Sequence, residues 1–153
     1  MLTFLFNFIQ RIRRLTIWLW SQEGTPGQRA RGIALGVFSG CFPFFGLQTL
    51  IGIMLAKVFK GNILLAAAGT WISNPFTYVP LFWLNYKIGE LFLGVGVNID
   101  SLSKLSRQQF FDQGFIFSSR ILLGSSVLGS FLAISFGSIF YILFKRVYIK
   151  TSI

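Results

Sequence analysis

Side chains able to do acid–base or nucleophilic chemistry are scarce in this sequence of 153 residues. It contains four carboxylates (Glu23, Glu90, Asp100 and Asp112), no histidine, and Cys41 as its single cysteine. General acid–base catalysis needs such groups placed close to the reacting atoms, and metal sites need clustered ligands. Because these residues are scattered along the chain, we expect no enzyme activity, no metal site and no cofactor.

Uncharged polar residues gather instead at two interruptions of long apolar stretches. Pro43 and Gly46 interrupt the first stretch and are followed by Gln48 and Thr49, while an Asn-Pro pair at 74–75 interrupts the second. Unpaired backbone groups in lipid cost several kcal/mol each, so broken helices there need hydrogen-bond partners or a wet cavity. Two interpretations follow. The polar side chains serve only the broken backbone, or they also line a binding site, as in transporters with paired broken helices.

The candidate site comprises both interruptions and the polar or aromatic residues near them. Helix N termini at the breaks would present unpaired amides to an anionic group. Arg29, Arg31 or Lys87 could attract an anionic head group, although Lys87 and Glu90, three positions apart on one helix face, could simply pair. The candidate residues are Pro43, Gly46, Gln48, Thr49, Asn62, Thr70, Trp71, Ser73, Asn74, Pro75, Thr77, Tyr78, Tyr86 and Lys87.

The rest of the chain must position these residues, and its composition is typical of an integral membrane protein. Hydrophobic residues make up 54 % of the chain and charged residues 12 %, which is about half the charged fraction of a soluble domain. The net charge of +10 comes from cations at the ends of apolar stretches. That layout is typical of membrane anchors that favour anionic head groups, not of a nucleic-acid interface. We therefore expect lipid partners and no nucleic-acid partner.

The apolar pattern predicts an all-α fold with an interfacial N-terminal helix, two Pro-broken apolar hairpins, which could be re-entrant, and one C-terminal transmembrane helix. The N-terminal pattern equally fits an amphipathic helix packed on the rest of the protein. Thr25 and Pro26 are suited to the start of a helix, and Gly114 to the end of a short one. In chain order, the predicted segments are an amphipathic interfacial helix (1–22), a core with two broken-helix motifs (24–94), a polar loop with a short amphipathic helix (95–120), a charge-free transmembrane helix (121–144) and a basic tail (145–153).

Small residues recur at every fourth position in two of the apolar stretches. Such stripes let helices approach closely, either within the chain or against a partner. The residues concerned are Gly32, Gly36, Gly40, Gly129, Ala133 and Gly137.

The distribution of lysine and arginine favours one membrane topology. If the first apolar stretch (32–59) is re-entrant, the second (63–94) crosses and 121–144 crosses back, then ten of the 14 cations share the cytoplasmic side. Three others, including Arg120, lie outside. If each stretch crossed once, Lys57 and the C-terminal tail would move outside, against the positive-inside rule. We therefore expect a multi-pass protein with both termini cytoplasmic. A helix that spans the membrane with a kink would have the same sequence pattern as a short re-entrant loop, so both alternatives stay open.

A series of short motifs runs through residues 24–89. They are a Gly-Thr-Pro opening, a glycine-spaced helix, Pro-Phe-x-Gly-x-Gln-Thr, Gly-Asn, Gly-Thr-Trp-x-x-Asn-Pro and Tyr-x-x-Gly. In this order they resemble the bacterial membrane-protein family called domain of unknown function 2062, a resemblance that implies no particular activity. The matching positions are Gly24, Thr25, Pro26, Pro43, Gly46, Gln48, Thr49, Gly61, Asn62, Gly69, Thr70, Trp71, Asn74, Pro75, Thr77, Pro80, Tyr86 and Gly89.

Two functional hypotheses follow from these patterns. The first is a small protein that transports or flips an anionic lipid or a small anion, with its site between the two breaks. The alternative is a non-catalytic accessory or scaffold protein whose glycine-striped helices bind another membrane protein or a second copy of the chain.

Overall fold

The computed structural model describes residues 2–94 and 107–151, and within these ranges the chain is helical, with no β-strand. The predicted all-α class is thus confirmed for the described residues. Residues 95–106, part of the predicted polar loop and helix, lie outside them. The helices are α1 (Leu2–Ser21), α2 (Pro26–Gly40), α3 (Leu47–Val58), α4 (Ile63–Gly69), which continues into a 3-10 turn (Thr70–Ile72), α5 (Tyr78–Leu93) and α6 (Arg107–Thr151).

Helix α2 begins where the sequence predicts, at a capping box. The Thr25 hydroxyl accepts a hydrogen bond from the Gln28 amide at 3.3 Å, and the Gln28 side chain accepts one from the Thr25 amide at 2.9 Å. Pro26 takes the first helical position, where a missing N–H costs nothing. These bonds fix the start of α2, and the Arg29 side chain ties it to the end of α1 by donating to the Trp20 carbonyl at 3.2 Å.

Helices α2 and α4 run parallel with their backbones in direct contact. A methyl group on the first two glycines of the α2 stripe would overlap a backbone carbonyl oxygen of the opposite chain segment, and one on the third would crowd Thr70 and Ile72. The contacted residues follow one another along the chain in the same order as the glycines, so α2 and α4 run in the same direction. The pairs are Gly32 with Asn62, Gly36 with Ala66, and Gly40 with Thr70. The first glycine stripe is therefore used within the chain.

Helix α3 returns along α2 in the opposite direction. A side chain at Gly52 would meet Ser39, and one at Gly61 would meet the backbone of Gly32. The turn after α3 is tied to the start of α2, because Arg31 Nη2 donates to the Lys60 carbonyl at 3.2 Å. The chain thus enters at the start of α2, turns back at the first break, and returns to its starting level.

The long helix α6 runs antiparallel to α2 and α5, which lie end to end along it. Its first half packs on α5 and its second half on α2. The contacts that set this register are Gly89 with Arg120, Asn85 with Gly124, Cys41 with Gly129, Ala34 with Gly137, and Arg29 with Phe144.

The apolar core is small and lies in two clusters along this seam. One contains Ile33, Val37, Leu65 and Phe144, and the other is centred on Cys41. Many large apolar side chains face outward instead, with Trp71 exposed by 77 %. Among the described residues, one segment, Gly114–Tyr148, is long and apolar enough to cross a membrane.

The structure corrects the predicted end of a helix at Gly114. Helix α6 continues through Gly114 and has 45 residues, a length of about 68 Å at 1.5 Å per residue. One glycine in a helix interior costs only about 1 kcal/mol relative to alanine. Flanking residues that favour the helix outweigh that cost.

The second apolar stretch also differs from the predicted hairpin. Helix α4 packs on α2 and α3, whereas α5 packs on α6, so in the described structure α4 and α5 share little contact. Pro80 does not interrupt α5, because it lies in the first turn, where no intrahelical N–H bond is required. The break at 73–77 thus carries the chain onward instead of folding it back.

Replacing Gly36 by alanine should destabilise the fold, because the added methyl group would overlap the Ala66 carbonyl oxygen. Overpacking of this kind costs about 1–3 kcal/mol. We expect a lower thermal midpoint in detergent for Gly36→Ala. Gly114→Ala is the matched control, since nothing lies within 4 Å of a methyl group there. Equal midpoints for the two variants would contradict the α2–α4 contact.

Candidate functional site

The first break, between α2 and α3, is a tight turn in which hydrogen bonds pair the backbone groups on both sides of its tip. The Phe42 amide donates to the Ser39 carbonyl at 3.2 Å, and the Gln48 amide donates to the Phe44 carbonyl at 3.1 Å. Gly46 caps α3 with φ of +81°, a conformation that side-chain-bearing residues rarely adopt. The glycine in this motif is therefore required by the turn itself.

The second break is organised by Asn74 and Thr77. The Asn74 side-chain oxygen accepts hydrogen bonds from the amides of Phe76 at 2.9 Å and Thr77 at 3.2 Å. The Thr77 hydroxyl donates to the Ile72 carbonyl at 2.6 Å and accepts from the Asn74 amide at 2.9 Å. Side chains thus replace the helical partners that Pro75 removes.

Gln48 joins the two breaks. Its amide nitrogen donates to the Phe42 carbonyl and, at 3.4 Å, to the Gly40 carbonyl, both at the first break. Carbonyls only accept, so the nitrogen must face them and the side-chain oxygen must face the other way. There it accepts a hydrogen bond from the Ser73 hydroxyl at 3.0 Å, and the same hydroxyl also donates to the Thr70 carbonyl at 3.1 Å. Gln48 is only 5 % exposed, so this bridge is shielded from the surroundings.

A second link joins Thr49 to Thr70. Their hydroxyl oxygens are 3.1 Å apart, and the Thr70 hydroxyl donates to the Ala67 carbonyl at 2.7 Å. Because the Thr70 hydroxyl donates its single proton to that carbonyl, the Thr49 hydroxyl is the donor in the bond to Thr70. The two breaks therefore lie side by side and are held together by two polar bridges.

The remaining candidate residues divide between the breaks and other places. Tyr78 stacks with Phe82 and contacts Phe45 at the tip of the first break. Trp71 points outward. Asn62 lies at the opposite end of α4, where its side chain caps that helix through the Leu65 amide at 2.9 Å. Asn62 is therefore not part of the paired breaks, whereas the Trp71 carbonyl accepts a hydrogen bond from Asn74 Nδ2 at 3.3 Å and belongs to the second break.

The contacts at the breaks agree with the first of the two interpretations. The side chains of Gln48, Thr49, Thr70, Ser73, Asn74 and Thr77 bond to backbone groups or to one another, so they already have partners. This leaves the breaks with a clear structural role. A ligand would have to displace existing bonds to use the same atoms.

The three cations singled out in the sequence each have a partner. Arg29 donates to the Trp20 carbonyl at 3.2 Å and lies over the Phe144 ring. Arg31 bonds to the Lys60 carbonyl, as described above. Lys87 forms an ion pair with Glu90 at 2.8 Å, which confirms the predicted pairing. An exposed pair of this kind contributes little to stability.

The seam between α5 and α6 contains polar groups that the sequence did not single out. Asn85 and Ser125 are fully buried and Arg120 is 4 % exposed. Among the residues that the structure describes, no hydrogen-bond partner is found for three buried polar atoms at this seam: Asn85 Oδ1, Arg120 Nε and Ser125 Oγ. Buried polar atoms without partners are rare in folded proteins, so each of these three calls for an explanation, such as local strain, an ordered water or a bound group.

Arg120 has one side-chain partner in the described structure, Tyr86. Its Nη1 donates to the Tyr86 hydroxyl at 2.9 Å, and its Cζ lies 5.7 Å from the centre of the Tyr86 ring. No carboxylate of the described residues pairs with it. A buried guanidinium with unused donors is suited to bind an oxyanion such as a phosphate.

Sequence reasoning missed Arg120 for a specific reason. It directly precedes the charge-free run 121–144, so it resembles an ordinary flanking cation. Only the register of α6 on α5 brings it to Tyr86, thirty-four positions earlier. Tyr86 was a candidate through its motif, but no local signal pairs the two residues.

Gln48→Ala should lower stability, because it leaves the Gly40 and Phe42 carbonyls without the donor Gln48 Nε2. Each unsatisfied buried group costs about 1–3 kcal/mol. A double-mutant cycle with Ser73→Ala should give a coupling energy of about 1 kcal/mol, measured from unfolding in detergent. Ser130→Ala, which removes an exposed hydroxyl, is the control. Additive effects of Gln48→Ala and Ser73→Ala would show that the bridge does not form.

Comparison with known proteins identifies a family for this chain. Residues 9–152 match the family described as an uncharacterized protein conserved in bacteria, DUF2062. Searches of the curated proteins and of the solved structures found no match. The match covers nearly the whole chain and includes both breaks and the α5–α6 seam. The chain therefore belongs to the DUF2062 family.

Proposed function

We propose that this protein is a multi-pass membrane protein that binds the anionic head group of a lipid. In this arrangement α2 and α3 form a re-entrant hairpin, α4 and α5 together form one broken span, and α6 crosses back. Helices α2 and α3 have 15 and 12 residues, about 22 and 18 Å, which is too short for a hydrocarbon core of about 30 Å.

Helix register supports this placement of the breaks. The first break lies level with Gly129, which is fifteen residues, or about 22 Å, from Phe144 along α6. It is about 14 Å from Arg120 on the same scale. Both breaks would then lie within the hydrocarbon region, where their paired backbone groups are required.

The distribution of cationic side chains supports a membrane orientation with both termini cytoplasmic. The cations that the fold gathers at one end are Arg29, Arg31, Lys57, Lys60, Lys145 and Arg146. The opposite end has Arg120 and the Lys87–Glu90 pair. The positive-inside rule then places the first group, and with it both termini, on the cytoplasmic side. Helix α1, whose last turn meets this end through Trp20, would lie at the same interface.

The buried, carboxylate-free Arg120 is the observation that carries the lipid proposal. An ionisable residue inside a membrane protein is costly and is usually functional. Arg120 lies at the edge of the apolar run, the level of the lipid head groups, where a phosphate could replace the missing counter-charge. The function we propose is recognition of an anionic lipid at Arg120 and Tyr86, as a step in moving that lipid across the bilayer.

The breaks would support this site without contacting the lipid. They start α5 at membrane depth, and Asn85 Nδ2 donates to the Cys41 carbonyl at 2.8 Å, which ties α5 to the first break. The position of Tyr86 therefore depends on the first break. We propose no catalytic step, since the seam offers no nucleophile with a general base.

The alternative of a scaffold acting through glycine stripes would need a different surface. The stripe on α2 is covered by α4, and Gly129 and Gly137 face Cys41 and Ala34 within the chain. A partner could not use the α2 stripe without displacing α4, whereas Ala133 and Gly137 of the α6 stripe also line an open groove. The contacts therefore favour the lipid proposal over a scaffold bound through the α2 glycines.

Thiol labelling tests the topology. Single cysteines at Lys60 and Arg107, in a Cys41→Ala background, should react with a membrane-impermeant maleimide from opposite sides of sealed vesicles. A cysteine at Lys145 should label with the one at Lys60. Labelling of positions 60 and 107 from the same side would overturn the re-entrant arrangement.

Lipid retention tests the head-group site. Protein reconstituted into phosphatidylcholine vesicles with added phosphatidylglycerol is extracted, and the bound lipid is counted by mass spectrometry. Arg120→Gln should lower the affinity of this site for phosphatidylglycerol roughly tenfold and so remove the share of retained lipid that the site holds, because a hydrogen bond to a charged group contributes about 1.5–3 kcal/mol. Tyr86→Phe should give a smaller loss.

Lys57→Gln removes an exposed cation far from the seam and serves as the control. All variants should keep the helix content of the wild type. Equal phosphatidylglycerol retention by Arg120→Gln and by the wild type would contradict the proposal.

A further inference from the structure

A second feature of the surface is an open groove between α2 and α6 at the basic end. It has a volume of about 500 Å³, within the range of about 300–1,000 Å³ typical of ligand pockets. Small residues create it, since Ala30 and Ala34 on α2 face Ala133 and Gly137 on α6. The groove is thus an open, mainly apolar depression along the helix pair.

The groove runs along α6 and has one polar end, near the basic cluster. On α6 its lining extends from Ala133 to Tyr141, eight residues or about 12 Å. This is close to the depth of one leaflet of a hydrocarbon core about 30 Å thick. Arg31 and Tyr141 line the groove at the end nearest the basic cluster, and tyrosine is enriched at membrane interfaces.

The charge around this end of the groove is positive. Arg31 uses Nη2 for the Lys60 carbonyl, and a guanidinium has further N–H donors available for a phosphate. Lys145 lies one turn beyond Tyr141. Glu23, the described acid at this end of the fold, is not part of the groove lining.

We propose that this groove binds one acyl chain of an anionic phospholipid from the cytoplasmic leaflet, with its phosphate on Arg31. The apolar walls fit the chain and the cationic end fits the head group. The inference rests on the membrane placement proposed above but not on the Arg120 site. It adds a lipid site in the leaflet opposite to Arg120.

Photo-crosslinking tests this proposal. Phosphatidylglycerol with a diazirine on its acyl chain is added to phosphatidylcholine vesicles containing the full chain, and labelled peptides are mapped by mass spectrometry. We expect labelling within 27–34 and 133–141, and competition by unlabelled phosphatidylglycerol but not by phosphatidylcholine. Ser138→Phe, which fills the groove, and Arg31→Gln should each reduce this labelling at least fivefold.

Ser130→Phe places the same bulk on an exposed position of α6 outside the groove lining and should leave the labelling unchanged. Equal labelling by phosphatidylcholine and phosphatidylglycerol probes, or no effect of Ser138→Phe, would indicate ordinary surrounding lipid and overturn the proposal. A disulfide-linked dimer of Ser138→Cys in a Cys41→Ala background would show that a second copy covers the groove, which also overturns it.

Arg120→Gln separates this proposal from the previous one. It should leave groove labelling at the wild-type level while reducing retention of phosphatidylglycerol. Groove labelling with unchanged retention in Arg120→Gln would defeat only the Arg120 site. Loss of retention in Arg120→Gln without groove labelling in the wild type would defeat only the groove.

Discussion

The need to pair broken backbone is the constraint on which this structure depends. Two interruptions place non-helical N–H and C=O groups in an apolar protein, and such groups are costly without partners. The side chains around them supply those partners: Asn74 and Thr77 at the second break, and Gln48 at the first. Because Gln48 also accepts from Ser73, satisfying one break fixes the other beside it. This explains why so many polar residues occur in so apolar a stretch.

The rest of the fold follows from that pairing. Holding the breaks at one level requires α2 and α4 to run side by side, which only glycine at positions such as Gly36 permits. Helix α5 then starts beyond α2 and continues its line along α6. The two halves of α6 therefore have different neighbours. The basic half meets α2 and forms the groove, and the other half meets α5 and buries Arg120.

The sequence predicted the local features well and the long-range contacts poorly. The Thr25 cap, the Lys87–Glu90 pair and the close glycine packing can be read from spacing within one or two helical turns. The end of a helix at Gly114 was wrong, because the penalty of one glycine is small against a long helix. The Arg120–Tyr86 contact was missed, because it depends on how α6 is aligned with α5, and no local pattern sets that register.

Hydrogen–deuterium exchange in lipid nanodiscs tests the central claim most directly, since it reports whether the broken backbone is paired at membrane depth. If it is, the amides of Phe42, Gln48, Phe76 and Thr77, each bonded in the structure, should exchange as slowly as those inside α2. Exchange of these amides within seconds, as in an exposed loop, would contradict the account.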